Sequence, residues 1–272
     1  MTDKAILVGI NAYPGAPLSG CVNDVTDMAE FLCDHAGFNP DSVRLLTDKR
    51  ATTAAILERV RWLITGAKAG DRLVFHYSGH GAQVPTRDTK AEVDGLLEVI
   101  CPVEFDWSPE HMITDKDFAK LFAQIPAGVK FLWISDSCHS GDLDRSIPHP
   151  LAPKSKSMPQ PADIAWRMRS AAKKELVTAS ASRAALGKET PFPGVLISGC
   201  KSTQTSADAV FNGRASGALT YNLLKVLGNP QGMRESLTDV VRGVRSNLKQ
   251  GGYSQVPQLE GKKAAFAKPF LG

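Results

Sequence analysis

Three apolar runs of strand length set the terms for this chain: Lys4 to Ile10, Asp71 to Tyr77 and Val129 to Ser135. A strand that is apolar at nearly every position has both faces buried, as the central strands of a parallel sheet do. The stretches between have helical spacing. Val22 to His35 puts Val22, Val25, Met28, Ala29 and Leu32 on one face. Thr52 or Thr53 caps a segment to Ala67 with Ile56, Val60, Leu63 and Ile64 apolar, and Thr114-Asp-Lys-Asp117 resembles a capping box opening a helix to about Gln124. Parallel strands need crossovers and helices supply them, so the alternation predicts an α/β fold with helices on both faces of the sheet.

Val43 to Leu46, Leu96 to Cys101, Glu175 to Ala179 and Val195 to Cys200 are further strand candidates, and Ala218 to Leu227 and Leu237 to Lys249 further helices. From Ile147 to about Lys174 the texture changes to Pro148, Pro150, Pro153, Pro159 and Pro161 among Ser and Lys, which reads as an exposed, mobile loop. The α/β pattern continues on either side. One domain over 1–272 follows, with a large portion (1–147), a linker (148–174) and a small portion (175–272).

Composition excludes several classes. A net charge of +4, from 32 basic and 28 acidic residues scattered along the chain, is too mild for a nucleic-acid partner. No window approaches the ~20 apolar residues of a membrane helix, and the N-terminal apolar run is too short for a signal peptide. Cysteines at 21, 33, 101, 138 and 200 show no paired spacing, which suits reduced thiols and a cytoplasmic setting.

Two strand ends carry chemistry. F-H-Y-S-G-H-G places His80 just past one strand, and W-I-S-D-S-C-H-S-G places Cys138 just past another. In parallel sheets ligand sites gather beyond the carboxyl ends of strands. A thiol of ordinary pKa is a poor nucleophile at neutral pH, and a facing imidazole would take its proton. Backbone N–H groups of Gly81 and Cys138 are the natural donors to a developing oxyanion. The bland alternative is a small buried cysteine and a satisfied polar histidine. A metal site on Cys138, His139 and His80 lacks a clear fourth ligand. Cys33, Cys101 and Cys200 read as core, as do Trp62 and Trp133, and His76 as packing within its strand.

Y-S-G-H-G-A-Q and D-S-C-H-S-G together resemble the His and Cys motifs of metacaspases and orthocaspases, which are caspase-like cysteine peptidases. The separation, 138 − 80 = 58 residues, is near the ~50 of caspases. The likeness extends through V-G-I-N-A-Y-P-G, G-C-V-N-D-V, R-W-L-I-T-G-A-K-A-G-D, I-S-G-C-K-S-T-Q-T-S-A-D-A and G-A-L-T-Y-N-L-L. It implies a caspase-hemoglobinase fold, with a mainly parallel sheet of about six strands flanked by helices on both faces. It implies Cys138 as nucleophile, His80 as its partner, His139 as local support, and a pocket for Arg or Lys built from Cys21, Asp24, Ser78 and Asp136. Two carboxylates there would repel an acidic side chain and hold a basic one. The alternative is that Asp24 caps a helix and Asp136 a turn.

Calcium-dependent members of that family suggest Asp94, Asp115 and Asp144 as metal candidates, with Asp142 nearby. Lys116 puts a positive charge among them, so no obligatory cofactor is expected. Partners are protein or peptide substrates with basic residues, and the resemblance implies a monomer. An enzyme of that specificity would meet its own substrate at Lys154, Lys156, Arg167, Arg169, Lys173 or Lys174, so self-cleavage between Lys154 and Lys174 is expected. The rival roles are a non-catalytic scaffold or binding module on the same fold, and a cysteine-dependent amidase acting on small substrates.

Overall fold

The computed structural model describes residues 2–85, 96–138, 152–167, 192–201 and 204–272. The apolar runs form strands where their composition predicts them: β1 (Asp3–Gly9) is buried from Ala5 onward. α1 (Cys21–Asp34), β2 (Val43–Thr47) and α2 (Thr53–Ile64) follow. The Thr52 hydroxyl accepts the Ala55 N–H at 3.2 Å and so starts α2 as a capping threonine should. That helix stops at Ile64, before the expected Ala67, because Thr65 turns to extended backbone and Gly66 to a positive φ.

β3 (Arg72–Ser78) leads to β4 (Gly81–Pro85), β5 (Leu96–Ile100) and β6 (Ile113–Thr114). The Thr114–Asp117 capping box then opens α3 (Asp115–Phe122), and β7 (Lys130–Asp136) follows it. Downstream lie β8 (Lys154–Ser155), a helical stretch α4 (162–167), β9 (Val195–Ser198), β10 (Ala207–Phe211) and β11 (Arg214–Gly217). The chain continues through α5 (Ala218–Leu227), α6 (Leu237–Gln250), β12 (Gln258–Gly261) and α7 (Lys263–Phe266).

The central sheet has six strands in the order β12-β9-β7-β3-β1-β2, all parallel except β12 at one edge. Alternate residues face opposite ways along a strand. Ile6, Val8, Leu73, Phe75 and Phe131 therefore meet Ile56 and Val60 of α2 and Phe118 and Phe122 of α3. On the other face Ala5, Leu7, Val74, Leu132 and Ile134 meet Val25, Met28 and Leu32 of α1, with Leu223 of α5 and Val240 of α6. The expected helix-covered parallel sheet is present.

Several expectations need correction. Leu96–Ile100 is a strand, but it joins β4 and β6 in a separate antiparallel sheet; β8, β10 and β11 form another. The hairpin of β10 and β11 turns at Asn212-Gly213, both with positive φ (51° and 80°). Within the loop expected from Ile147 to Lys174, Lys154 and Ser155 are exposed as expected but form a short strand, and Lys156 and Met158 are buried. There Lys154 and Ser155 pair with Asp208 and Ala207, and Lys156 is fully buried. Cys33 is only half-buried, as are Trp62 and Trp133. The candidate strand Glu175 to Ala179, and Arg169, Lys173 and Lys174, lie outside the described residues.

Candidate active site

β3 and β7 are neighbours in parallel register, with Ser78 opposite Asp136 at their carboxyl ends. His80 and Cys138 each stand two residues beyond that last pair, on strands spaced ~4.8 Å apart. Both side chains are buried. His80 is fixed from several directions: its N–H donates to the Tyr13 hydroxyl at 3.1 Å, and its carbonyl accepts from the Tyr77 hydroxyl at 2.6 Å. The Tyr13 ring lies 4.6 Å from the imidazole, centroid to centroid. Gly79 is glycine for a local reason: a Cβ there would run into the hydroxyls of Tyr13 and Tyr77.

The imidazole Nε2 is 2.8 Å from the Ala16 carbonyl, so Nε2 carries the proton and Nδ1 keeps its lone pair. Nδ1 has no hydrogen-bond partner among the described residues. Burial pulls the His80 pKa down to about 4, against the carbonyls of Ala16 and Lys156, which favour the charged form. The ring is neutral at pH 7.

Burial works to raise the Cys138 pKa, but hydrogen bonds to the thiolate win, and the group sits below its ordinary value. The Cys200 thiol contributes most, followed by the Ser206 backbone and the Ser155 hydroxyl. Cys200 also donates to the Gln204 carbonyl at 3.1 Å, and its own pKa is driven up by Cys138. Cys200 is therefore buried, as expected, but beside the candidate nucleophile instead of in an apolar core.

Asp24, Ser78 and Asp136 converge as the sequence suggested, and Cys21 lies beside them. What fills the space between them is Lys156, fully buried. Its ammonium contacts Ser78 Oγ at 2.9 Å, Asp24 Oδ2 at 3.2 Å and Asp136 Oδ1 at 3.2 Å, so each of its three protons has an acceptor. Burial disfavours that charge, but Asp136, Cys21, Asp24 and Asp208 more than compensate, and the Lys156 pKa is raised.

The carboxylates are saturated around it. Asp24 accepts from Ser78 Oγ at 2.6 Å, Ser216 Oγ at 2.6 Å and the Gly217 N–H at 2.8 Å. Asp136 accepts from Ser206 Oγ at 2.7 Å, and from the Thr220 N–H at 2.9 Å and hydroxyl at 2.8 Å. Burial opposes ionisation of Asp136, yet Lys156 and these donors hold its pKa down; Asp24 is pushed up by burial and by Asp136. Neither acid is a helix or turn cap. Cys21 shares the pocket as a protonated thiol, its pKa pushed up by burial.

The backbone of Lys156 is held as well as its side chain. Its carbonyl accepts the Gly81 N–H at 2.9 Å and, more weakly, the Cys138 N–H at 3.4 Å. These are the two donors expected of an oxyanion site.

A model of the metacaspase, peptidase C14 domain matches residues 3–145, which hold both strand ends. Metacaspase-1B of Aspergillus oryzae is 35% identical over 94% of this chain and 67% of its own length. The chain belongs to the metacaspase family. Metacaspase-1 of Scheffersomyces stipitis is 33% identical over 94% of this chain, and the chain covers 70% of that relative. Among eight of the curated metacaspases it matches, the chain spans 60 to 70% of their length. A crystal structure of a Geobacter sulfurreducens protein superposes with a TM-score of 0.71 and 27% identity, covering 100% of this chain and 98% of that one. The metacaspase domain is that of a cysteine peptidase acting on proteins.

Of the calcium candidates, Asp94 and Asp144 lie outside the described residues, as do Asp142 and His139. Asp115 sits at the start of α3, where Oδ1 accepts the Lys116 N–H at 2.9 Å and Oδ2 lies 3.5 Å from the Lys116 ammonium. Among the described residues no three His, Cys, Asp or Glu side chains gather as a metal site, and no helix is long and apolar enough to cross a membrane.

The sequence reading missed Lys156 as an occupant, and also Ser206, Ser216, Gly217 and Thr220. The last three sit at the β11–α5 junction, where G-A-L-T was noted only as part of a family resemblance.

Proposed function

We propose that this metacaspase cuts peptides after Lys or Arg, with Cys138 as nucleophile and His80 as proton acceptor. The observation that carries this reading is Lys156: a basic side chain between Asp24 and Asp136, with its carbonyl on the N–H groups of Gly81 and Cys138. A substrate residue preceding a scissile bond needs both placements at once. Cys138 attacks the carbonyl carbon as its proton passes to His80 Nδ1, and the two N–H groups hold the oxyanion. His80 then protonates the leaving amine, and water hydrolyses the thioester.

All the residues in these roles belong to one chain, consistent with a monomer that works alone. Nothing in the steps calls for calcium. The same specificity extends to self-processing in the segment after Cys138. The test compares Arg- and Lys-aminomethylcoumarin peptides with an Asp counterpart, on wild type and Cys138→Ala. Turnover of the basic peptides by wild type only is expected. Preference for Asp would overturn the pocket assignment, and turnover by Cys138→Ala would overturn the mechanism.

A further inference from the structure

We infer that His76 and Gln255 are positioning residues for the specificity pocket. Each donates to a hydroxyl, of Thr220 or Ser206, that in turn holds one oxygen of Asp136, so the acid is aimed before a basic residue enters. The inference rests on the Lys/Arg reading above and adds the buried residues that fix the anion which that reading needs.

Two hydroxyls donate to Asp136, Ser206 to Oδ1 at 2.7 Å and Thr220 to Oδ2 at 2.8 Å. Each hydroxyl has one proton and an ionised carboxylate has none, so each hydroxyl oxygen is left to accept. The Thr220 oxygen lies 3.2 Å from His76 Nε2, and the Ser206 oxygen 3.2 Å from Gln255 Nε2. All four side chains are buried. His76 stands on β3, on the same face as Val74 and Ser78. Thr220 lies in the first turn of α5, and Gln255 between α6 and β12.

The donor roles follow from the surroundings. Gln255 Oε1 accepts the Ala207 N–H at 3.0 Å, which leaves the amide nitrogen to donate, to Ser206 and to the Gly199 carbonyl at 3.0 Å. Burial keeps His76 neutral, and with its proton on Nε2 it donates to Thr220. The other tautomer would draw the Thr220 proton away from Asp136. It would also bury an N–H at Nδ1, which has no partner among the described residues. Even a bare Nδ1 lone pair is costly to bury. Phenylalanine would fill the same place without that cost, so packing alone gives no reason for a histidine here.

The two acids of the pocket differ in this respect. Asp24 is held in part by Ser78, whose oxygen accepts from the Lys156 ammonium at 2.9 Å, so its support depends on the cation present. The hydroxyls on Asp136 are fed from the protein interior and keep their geometry when that cation leaves. Chains of such hydrogen bonds reinforce one another where the surroundings are weakly polarisable. Asp136 is the fixed anion, and Asp24 the one that adjusts.

The experiment measures kcat and KM on an Arg-aminomethylcoumarin peptide. The proteins are wild type, His76→Phe, His76→Gln, Thr220→Val, Gln255→Leu and Ser206→Ala, with two double variants, His76→Phe with Thr220→Val and Gln255→Leu with Ser206→Ala. Melting curves, iodoacetamide alkylation of Cys138 and nitrogen NMR spectra of histidine-labelled wild type accompany it. His76→Phe and Gln255→Leu should each raise KM roughly three- to tenfold with kcat within about twofold, the size of one lost hydrogen bond. His76→Gln, whose amide can donate from near the Nε2 position, should recover most of that loss. In each double variant the second substitution should add less than about twofold, because both act on one chain of hydrogen bonds. Alkylation of Cys138 should keep its wild-type rate, and His76 should appear as the neutral tautomer protonated on Nε2.

A fall in kcat as large as the rise in KM, a His76→Gln protein no better than His76→Phe, or losses that simply add in the double variants would each overturn the inference. The specificity reading would stand. A His76 protonated on Nδ1 would overturn it as well, and that is read on wild type, whether or not His76→Phe folds. If wild type hydrolyses no Arg or Lys peptide, or prefers Asp, the specificity reading falls and this inference with it.

Discussion

Gly217→Ala isolates the pocket from the chemistry. Gly217 has φ −67° and ψ 135°, a conformation alanine adopts freely, so the substitution adds no backbone strain. It adds one methyl group, which would overlap the Lys156 ammonium and the Oδ2 atoms of Asp136 and Asp24. Overpacking of this kind costs about 1–3 kcal/mol, equivalent to about a 5- to 150-fold fall in kcat/KM. The atoms met are charged ends that cannot separate without losing their pairing, so the upper part of that range applies, roughly 30- to 150-fold. The assay is kcat/KM on a Lys-aminomethylcoumarin peptide, which should fall by that factor. Alkylation of Cys138 by iodoacetamide, which does not use the pocket, should be no slower than in wild type. A folded Gly217→Ala protein whose kcat/KM stays within threefold of wild type would refute the placement of the basic side chain against Gly217.

His80→Ala should lower kcat about 10²- to 10⁴-fold with a smaller change in KM, since it removes the proton acceptor and leaves the acids untouched; an equal loss in KM alone would contradict that role. Burial holds His76 and His80 neutral, with pKa values down to about 3 and about 4. The folded state therefore binds fewer protons than the unfolded one. Stability is complete above about pH 6.5 and is lost as pH falls towards those values, by on the order of 3 kcal/mol per histidine. Melting temperature should drop between pH 6.5 and 4, and less steeply in His76→Gln; a flat profile in wild type would refute the assignment. Peptide turnover should survive a calcium chelator, and a tenfold loss restored by calcium would reverse that expectation. Light scattering should show one chain per particle; a stable dimer would contradict it.

The central sheet was legible in the sequence because burial on both faces leaves a continuous apolar signature, and β1, β3 and β7 carry it. The capping threonines at 52 and 114 were legible for an equally local reason. The short antiparallel strands were not. β4 carries Gly81 and Pro85 in five residues, and β6 is two residues long, so neither shows a period. The β10–β11 hairpin did leave a mark, Asn212-Gly213, the dipeptide that suits a tight turn with two positive φ angles. His80 and Cys138 could be picked out because each follows the end of a strand, whereas the pocket roles of Asp24 and Asp136 came from the family resemblance. Lys156 could not. Its neighbours, Lys-Ser-Lys-Ser with prolines on both sides, have the composition of exposed chain. Only acceptors from three separate elements, Asp24, Ser78 and Asp136, make its burial tolerable.

That dependence runs in both directions. Removing an ammonium from between two buried carboxylates leaves like charges facing each other in a site of low polarisability, and breaking such a buried cluster costs about 3–5 kcal/mol. The pocket can relieve this by admitting water, by protonating an acid, or by taking another cation. Asp24 is the acid that would take the proton, since burial and Asp136 already push its pKa up. A basic substrate residue competes with that proton as well as with Lys156. On the proposed specificity, affinity for Arg and Lys peptides should therefore weaken on acidification by a route separate from His80, appearing in KM before kcat. The paired acids that would select positive charge under the proposed reading also make the pocket unstable when empty. A chain with such a pocket gains stability by keeping one of its own lysines there.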